Sequence, residues 1–175
     1  MLIQFFLVVS LGLAMSATTR LMLCAIVLGI VCQSAFAQDA SNKPNDIEQR
    51  AFEQTNLMRI QNGLAPFVWD ADISRMARSH SENMSRLGFF SHVGPDGLRL
   101  RDRARAAGIL RYSVLGENIA YNQGYEDAGG VAVEKWMLSP KHRANILSSE
   151  FRAMAIGTFV APDGSVYLTQ TFIKR

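Results

Sequence analysis

Three histidines and one glutamate carry most of the chemistry open to this 175-residue chain. His92 follows an aromatic pair in Phe89-Phe90-Ser91-His92, and Glu117 interrupts an apolar stretch in Gly116-Glu117-Asn118. His142 is the third residue of a turn that Ser139 and Pro140 open. Two imidazoles and a carboxylate are the protein's share of an open zinc site, with water completing the tetrahedron. Neutral imidazole is the form that binds a metal or accepts a proton. The positive end of a helical turn disfavours imidazolium, so His142 is expected to stay neutral. A carboxylate within an apolar strand needs partners, which histidines or a cation would supply to Glu117. The triplet alone does not specify a metal, since most domains of this size contain some such combination. His80 shares a helix face with Met76, Ala77 and Met84. It reads as a half-buried, hydrogen-bonded histidine that holds the helix to a sheet.

Other chemistries find no footing. Both cysteines, Cys24 and Cys32, lie in the apolar N-terminal region, and no serine sits in a Gly-x-Ser-x-Gly elbow. Ser91 and His92 are adjacent, so their side chains diverge. Glycine-rich phosphate loops are absent. The formal net charge is +3, and nothing resembles a nucleic-acid module. Arg99, Arg101, Arg103 and Arg105, with Asp102 among them, read as a solvated helix face.

The elements that must position these residues are legible from periodicity and caps. Asn45 or Asp46 caps a helix that runs to about Gln61, with Ile47, Ala51, Phe52, Thr55 and Met58 on its apolar face. Asp70 caps a second helix over 71–87, closed by Gly88. A loop follows, then a short Arg-rich helix that ends at Gly108. Residues 112–121 read as a strand with a polar interruption, and 127–138 as a third long helix. Ser139 caps the next turn with Pro140 at its first position. Strands at 154–160 and 166–172 form a hairpin around Pro162-Asp163-Gly164. Trp69 and Trp136, at helix boundaries, are expected to anchor the core. Helices first, then strands interleaved with helices, imply an α+β layer fold.

The first forty residues have a different character. Residues 2–15 and 21–33 are apolar, each short of the ~20 residues that span a bilayer as a helix. Arg20, the second apolar run and Ala35-Phe36-Ala37 follow the order of a signal peptide, with cleavage after Ala37. Residues 1–14 then read as an over-extended start, the rival reading being an uncleaved anchor. The expected division is a signal at 1–37, a flexible mature N-terminus at 38–45 and one domain at 46–175. A secreted or periplasmic, disulfide-free protein follows, meeting the membrane only through its signal segment.

Trp69-Asp70 with Met76-Ala77-Arg78-Ser79-His80-Ser81-Glu82-Asn83-Met84 resembles the second-helix signature of bacterial CAP domains, the superfamily of cysteine-rich secretory, antigen 5 and pathogenesis-related proteins. Phe89-Phe90-Ser91-His92, Gly116-Glu117-Asn118-Ile119-Ala120, Trp136-Met137-Leu138-Ser139-Pro140, His142-Arg143-Ala144-Asn145-Ile146-Leu147 and Tyr167-Leu168-Thr169-Gln170-Thr171-Phe172 follow in the family's order. The resemblance covers roughly residues 46–173. It implies an α–β–α sandwich with a three-stranded antiparallel sheet between helical layers. It also implies a cleft tetrad of two histidines and two acids, which binds divalent cations in some members. His92 and His142 match the histidines and Glu117 the first acid. The second acid's position holds Ser139, while Glu134 lies two residues before Trp136 and points elsewhere. Zinc or another divalent cation on His92 and His142 would therefore be weakly held.

Two functions compete on this reading. One is a secreted module whose cleft of His92, Glu117, Ser139 and His142 binds a small molecule, a lipid or an envelope component. The other is a metal-dependent hydrolase, with a cation on His92 and His142 and Glu117 as general base. An envelope-stabilising role would rest on the arginine stretch alone.

Overall fold

A computed structural model describes residues 43–175. The signal peptide, its cleavage site, both cysteines and most of the flexible N-terminus expected from sequence lie outside the described residues. Helix α1 spans Asp46–Gln61, strand β1 Val68–Trp69, and α2 Ala71–Arg86. Then come α3 at Leu100–Ala106, β2 at Val114–Asn122, α4 at Ala128–Leu138 and α5 at Pro140–Ile146. Strands β3, Ala153–Val160, and β4, Val166–Lys174, close the chain. No described helix is long and apolar enough to cross a membrane.

The sheet order is β1-β3-β4-β2. The expected three antiparallel strands are β3, β4 and β2, but β1 adds a fourth, pairing parallel to β3 through Val68↔Ala153 and Trp69↔Met154. A two-residue strand offers too little alternation to be recognised in sequence. Successive side chains of a strand face opposite ways, and the two cores follow that period. Met154, Ile156, Leu168 and Phe172 point to one face, packed with Trp136, Ala132 and Ala51 of the α4 and α1 layer. Ala155 and Ile173 point to the other face, with Ile73 and Met76 of α2 and Ala104 of α3. This is the α–β–α sandwich implied by the resemblance.

Caps set the helix ends. Asn45 and Glu48 form a capping box on α1, and Asp70 accepts from the Asp72 and Ile73 amides at the start of α2. Ser139 corrects an expectation: it stands at the N-cap of α5, but its hydroxyl makes no capping bond. Both tryptophans pack on the core: Trp69, half-buried, meets Phe52 edge-on, while Trp136 is fully buried and donates to the Ile119 carbonyl at 3.0 Å.

Two buried charges escaped the sequence reading. Glu48 is wholly buried and takes Arg78 at 2.6 and 2.8 Å while accepting from the Thr158 amide. One carboxylate thus ties α1, α2 and β3 together. Arg59 lies over the Phe67 ring and donates to the carbonyls of Ala65, Ile146 and Ser148.

Candidate functional site

Strand β2 is an edge strand, and its alternation sends Glu117 and Asn118 to opposite faces. Glu117 faces the loop after α2 and helix α3. Its carboxylate, 4% exposed, accepts from His92 Nδ1 at 2.9 Å with Oε1. Its Oε2 accepts from Arg103 Nη2, while Arg103 Nη1 donates to the His92 carbonyl at 2.8 Å. Arg103 is therefore no solvated surface charge. Its side chain is only 11% exposed, because position 103, one turn after the core-packed Leu100, lies on the side of α3 that faces β2. The clue available in sequence was Glu117 itself, since a carboxylate in an apolar strand calls for a cation.

Burial alone would raise the Glu117 pKa, but the hydrogen bond from His92 and the charge and hydrogen bond of Arg103 outweigh it. The carboxyl is held below the ordinary carboxylate range and is ionised at neutral pH. A carboxylate only accepts, so His92 Nδ1 carries a hydrogen toward Glu117. In the neutral ring Nε2 is then an oriented acceptor, on a side chain that is half exposed.

The opposite face positions His142. Asn118 is fully buried; its Nδ2 donates to the His142 carbonyl at 3.2 Å and to Gln170 Oε1 at 2.8 Å. Asn145 donates to Asn118 Oδ1 at 2.8 Å and to the Glu117 carbonyl at 3.2 Å. Gln170 in turn donates to Thr55 of α1 at 2.9 Å. This network clamps α5 to the edge of β2 beside Glu117. The polar interruption at Gly116-Glu117-Asn118 signalled it, though not its partners. Gly116 is needed for a separate reason: a Cβ there would stand 2.6 Å from the Phe151 ring.

His142 is half-buried, with its pKa lowered first by burial and then by the charge of His92. The direction agrees with the sequence expectation, and its causes are burial and the neighbouring imidazole. His92 and Glu117 thus meet directly, and His142 joins them as an electrostatic neighbour. Among the described residues, the Ser139 hydroxyl makes no hydrogen bond to any of the three. His80 departs from expectation too. It is 2% exposed, and its Nε2 bonds the Ser91 carbonyl at 3.1 Å, so it holds the His92 loop and not the sheet.

A cation fits this arrangement poorly. Both Glu117 oxygens are engaged, one by a guanidinium, and among the described residues no three His, Cys, Asp or Glu side chains gather closely enough to hold a metal. What the site offers is a hydrogen-bonding imidazole backed by a neutralised carboxylate.

Residues 52–172 match the family described as "CAP: Cysteine-rich secretory protein family". The chain is 38% identical over 128 residues to the uncharacterized membrane protein YlbC of Bacillus subtilis, covering 73% of this chain and 34% of that protein. It is 35% identical over 128 residues to the uncharacterized protein YkwD of the same organism, covering 73% and 47%. Less than half the length of either relative is spanned. Among solved structures, an extracellular protein of Bacillus anthracis that contains an SCP domain superposes with a TM-score of 0.64 at 30% identity, covering 74% of this chain and 40% of that one. Its profile match, these relatives and the sandwich around His92 and Glu117 make the chain a member of the cysteine-rich secretory protein (CAP) family.

Proposed function

We propose that this domain is a secreted binding module whose cleft, centred on His92, Glu117 and His142, accepts a small molecule, a lipid or an envelope component. One observation carries this reading: Glu117 has both oxygens committed while the His92 ring it orients stays half exposed. An imidazole fixed at Nδ1 presents Nε2 as a directed hydrogen-bond acceptor, which suits recognition of a hydroxyl or amide. The extracellular description of the Bacillus anthracis relative supports secretion.

The hydrolase reading asks Glu117 to act as general base. A carboxylate held below its ordinary pKa by an arginine is a weak base near neutral pH. Nothing in the donor set favours that reading.

Zinc titration by calorimetry on the full chain and on the His92→Ala/His142→Ala double variant separates the two. The binding reading expects negligible, indistinguishable heats. Saturable heat lost in the double variant would hand the site to a cation. Mass spectrometry of lipids and glycans co-purifying from the native envelope then names the ligand, which is expected with wild type and lost with His92→Ala.

A further inference from the structure

A hollow of about 420 Å³ lies between α2, α3 and the loop carrying Gly94, Asp96 and Leu98. That falls within the ~300–1,000 Å³ usual for small-molecule sites. Neither His92, Glu117 nor His142 lines it. His80 does, and its chemistry is unusual for a buried histidine. The Ser91 carbonyl can only accept, so Nε2 carries the hydrogen and Nδ1 of the neutral ring is an acceptor. Among the described residues Nδ1 has no hydrogen-bond partner. Burial lowers the His80 pKa and keeps the ring neutral. Arg103, which also lines the hollow, buries an Nε–H that has no partner among the described residues. A buried donor without a partner is costly; His80 Nδ1, which keeps accessible surface, is the acceptor that a ligand in the hollow can reach.

The rest of the lining indicates what could. Ser79 and Asn83, one turn apart on α2, add neutral hydroxyl and amide groups, while Met76, Phe89 and Leu98 supply apolar surface. Of the lining arginines, Arg75 pairs with Asp72 and Arg103 with Glu117, so neither calls for an anionic ligand. An alkyl chain would leave these polar groups desolvated and unpaired. A sugar presents hydroxyls that both donate and accept, alternating with apolar C–H faces.

We propose that the α2–α3 hollow is a saccharide-binding site, separate from the cleft, in which His80 accepts a hydrogen bond from a ligand hydroxyl. This goes beyond the cleft reading and does not depend on it. The test is saturation-transfer NMR on the full chain with N,N′-diacetylchitobiose and with cellobiose at millimolar concentration. Transfer to at least one disaccharide is expected, weakened about tenfold or more by His80→Phe, the effect of one lost buried hydrogen bond. Ser79→Trp, at an exposed rim position, leaves the core untouched and is expected to abolish transfer by filling the hollow, so the test survives if His80→Phe fails to fold. No transfer to either sugar, or transfer that Ser79→Trp does not diminish, overturns the proposal. His92→Ala tells the two sites apart: transfer that persists belongs to the hollow, whereas transfer lost with it belongs to the cleft and overturns this assignment while the cleft reading stands.

Discussion

Arg103 and Glu117 are the pair on which the candidate site depends, and their environment makes the dependence measurable. Truncating one partner of a buried ion pair leaves the other charged and desolvated, a loss of about 3–5 kcal/mol. Arg103→Ala is therefore expected to destabilise the domain by about that much in chemical denaturation, because Glu117 is almost fully enclosed. The Arg103→Met/Glu117→Leu double variant should recover most of the loss, since an apolar pair of similar volume removes both charges together. A single-variant loss below about 1 kcal/mol would place Arg103 among exposed surface charges, whose pairs contribute little. In sequence the four arginines of this stretch look alike. What distinguishes Arg103 is that its side of α3 faces Glu117 of β2, a matter of how α3 rolls onto the sheet.

The helices and strands themselves were easier to foresee. Asn45, Asp70, Asp127 and Pro140 mark helix starts through local side-chain and backbone chemistry, and each element begins within a residue or two of its expected position. Packing between elements was less visible. Gly157 of β3 reads in sequence as one more small residue in a strand, yet a Cβ there would collide with the backbone of Ala77 and Arg78 on α2. That close approach seats α2 on the sheet and so fixes His80 beneath the His92 loop. Gly157→Ala is expected to cost about 1–3 kcal/mol by overpacking, read as a lowered urea midpoint with an unchanged slope. An unaltered midpoint would mean that α2 rides higher on the sheet than described. Trp69 shows the converse limit: its position at a helix boundary suggested a core anchor, but only the packed layers decide how much of its ring is covered.

Over the molecule as a whole, the shifted groups act together on acid stability. Glu117 is held below its ordinary value of 4.5, so its contribution is complete above that pH and disappears as pH falls through the folded value. His80 and His142 are held below 6.5, mainly by burial. As pH falls below 6.5 the unfolded chain takes up protons that the folded rings refuse, and stability declines again. The signs agree. Denaturation midpoints should fall steadily between about pH 7 and pH 4, and His80→Phe should flatten the upper part of that decline if it folds. A midpoint that rises on acidification would contradict both burial and pairing. The sequence by itself determined the order of every element but β1, most caps and the layer fold, and it pointed to His92, Glu117 and His142, because these rest on local chemistry, period and motif order. Tertiary structure alone decided that Arg103 neutralises Glu117, that Asn118 and Asn145 clamp α5, that Glu48 binds Arg78 across thirty residues, and that a hollow opens beside His80. Those partners come from separate elements, and no local pattern records which side chains meet once the layers close.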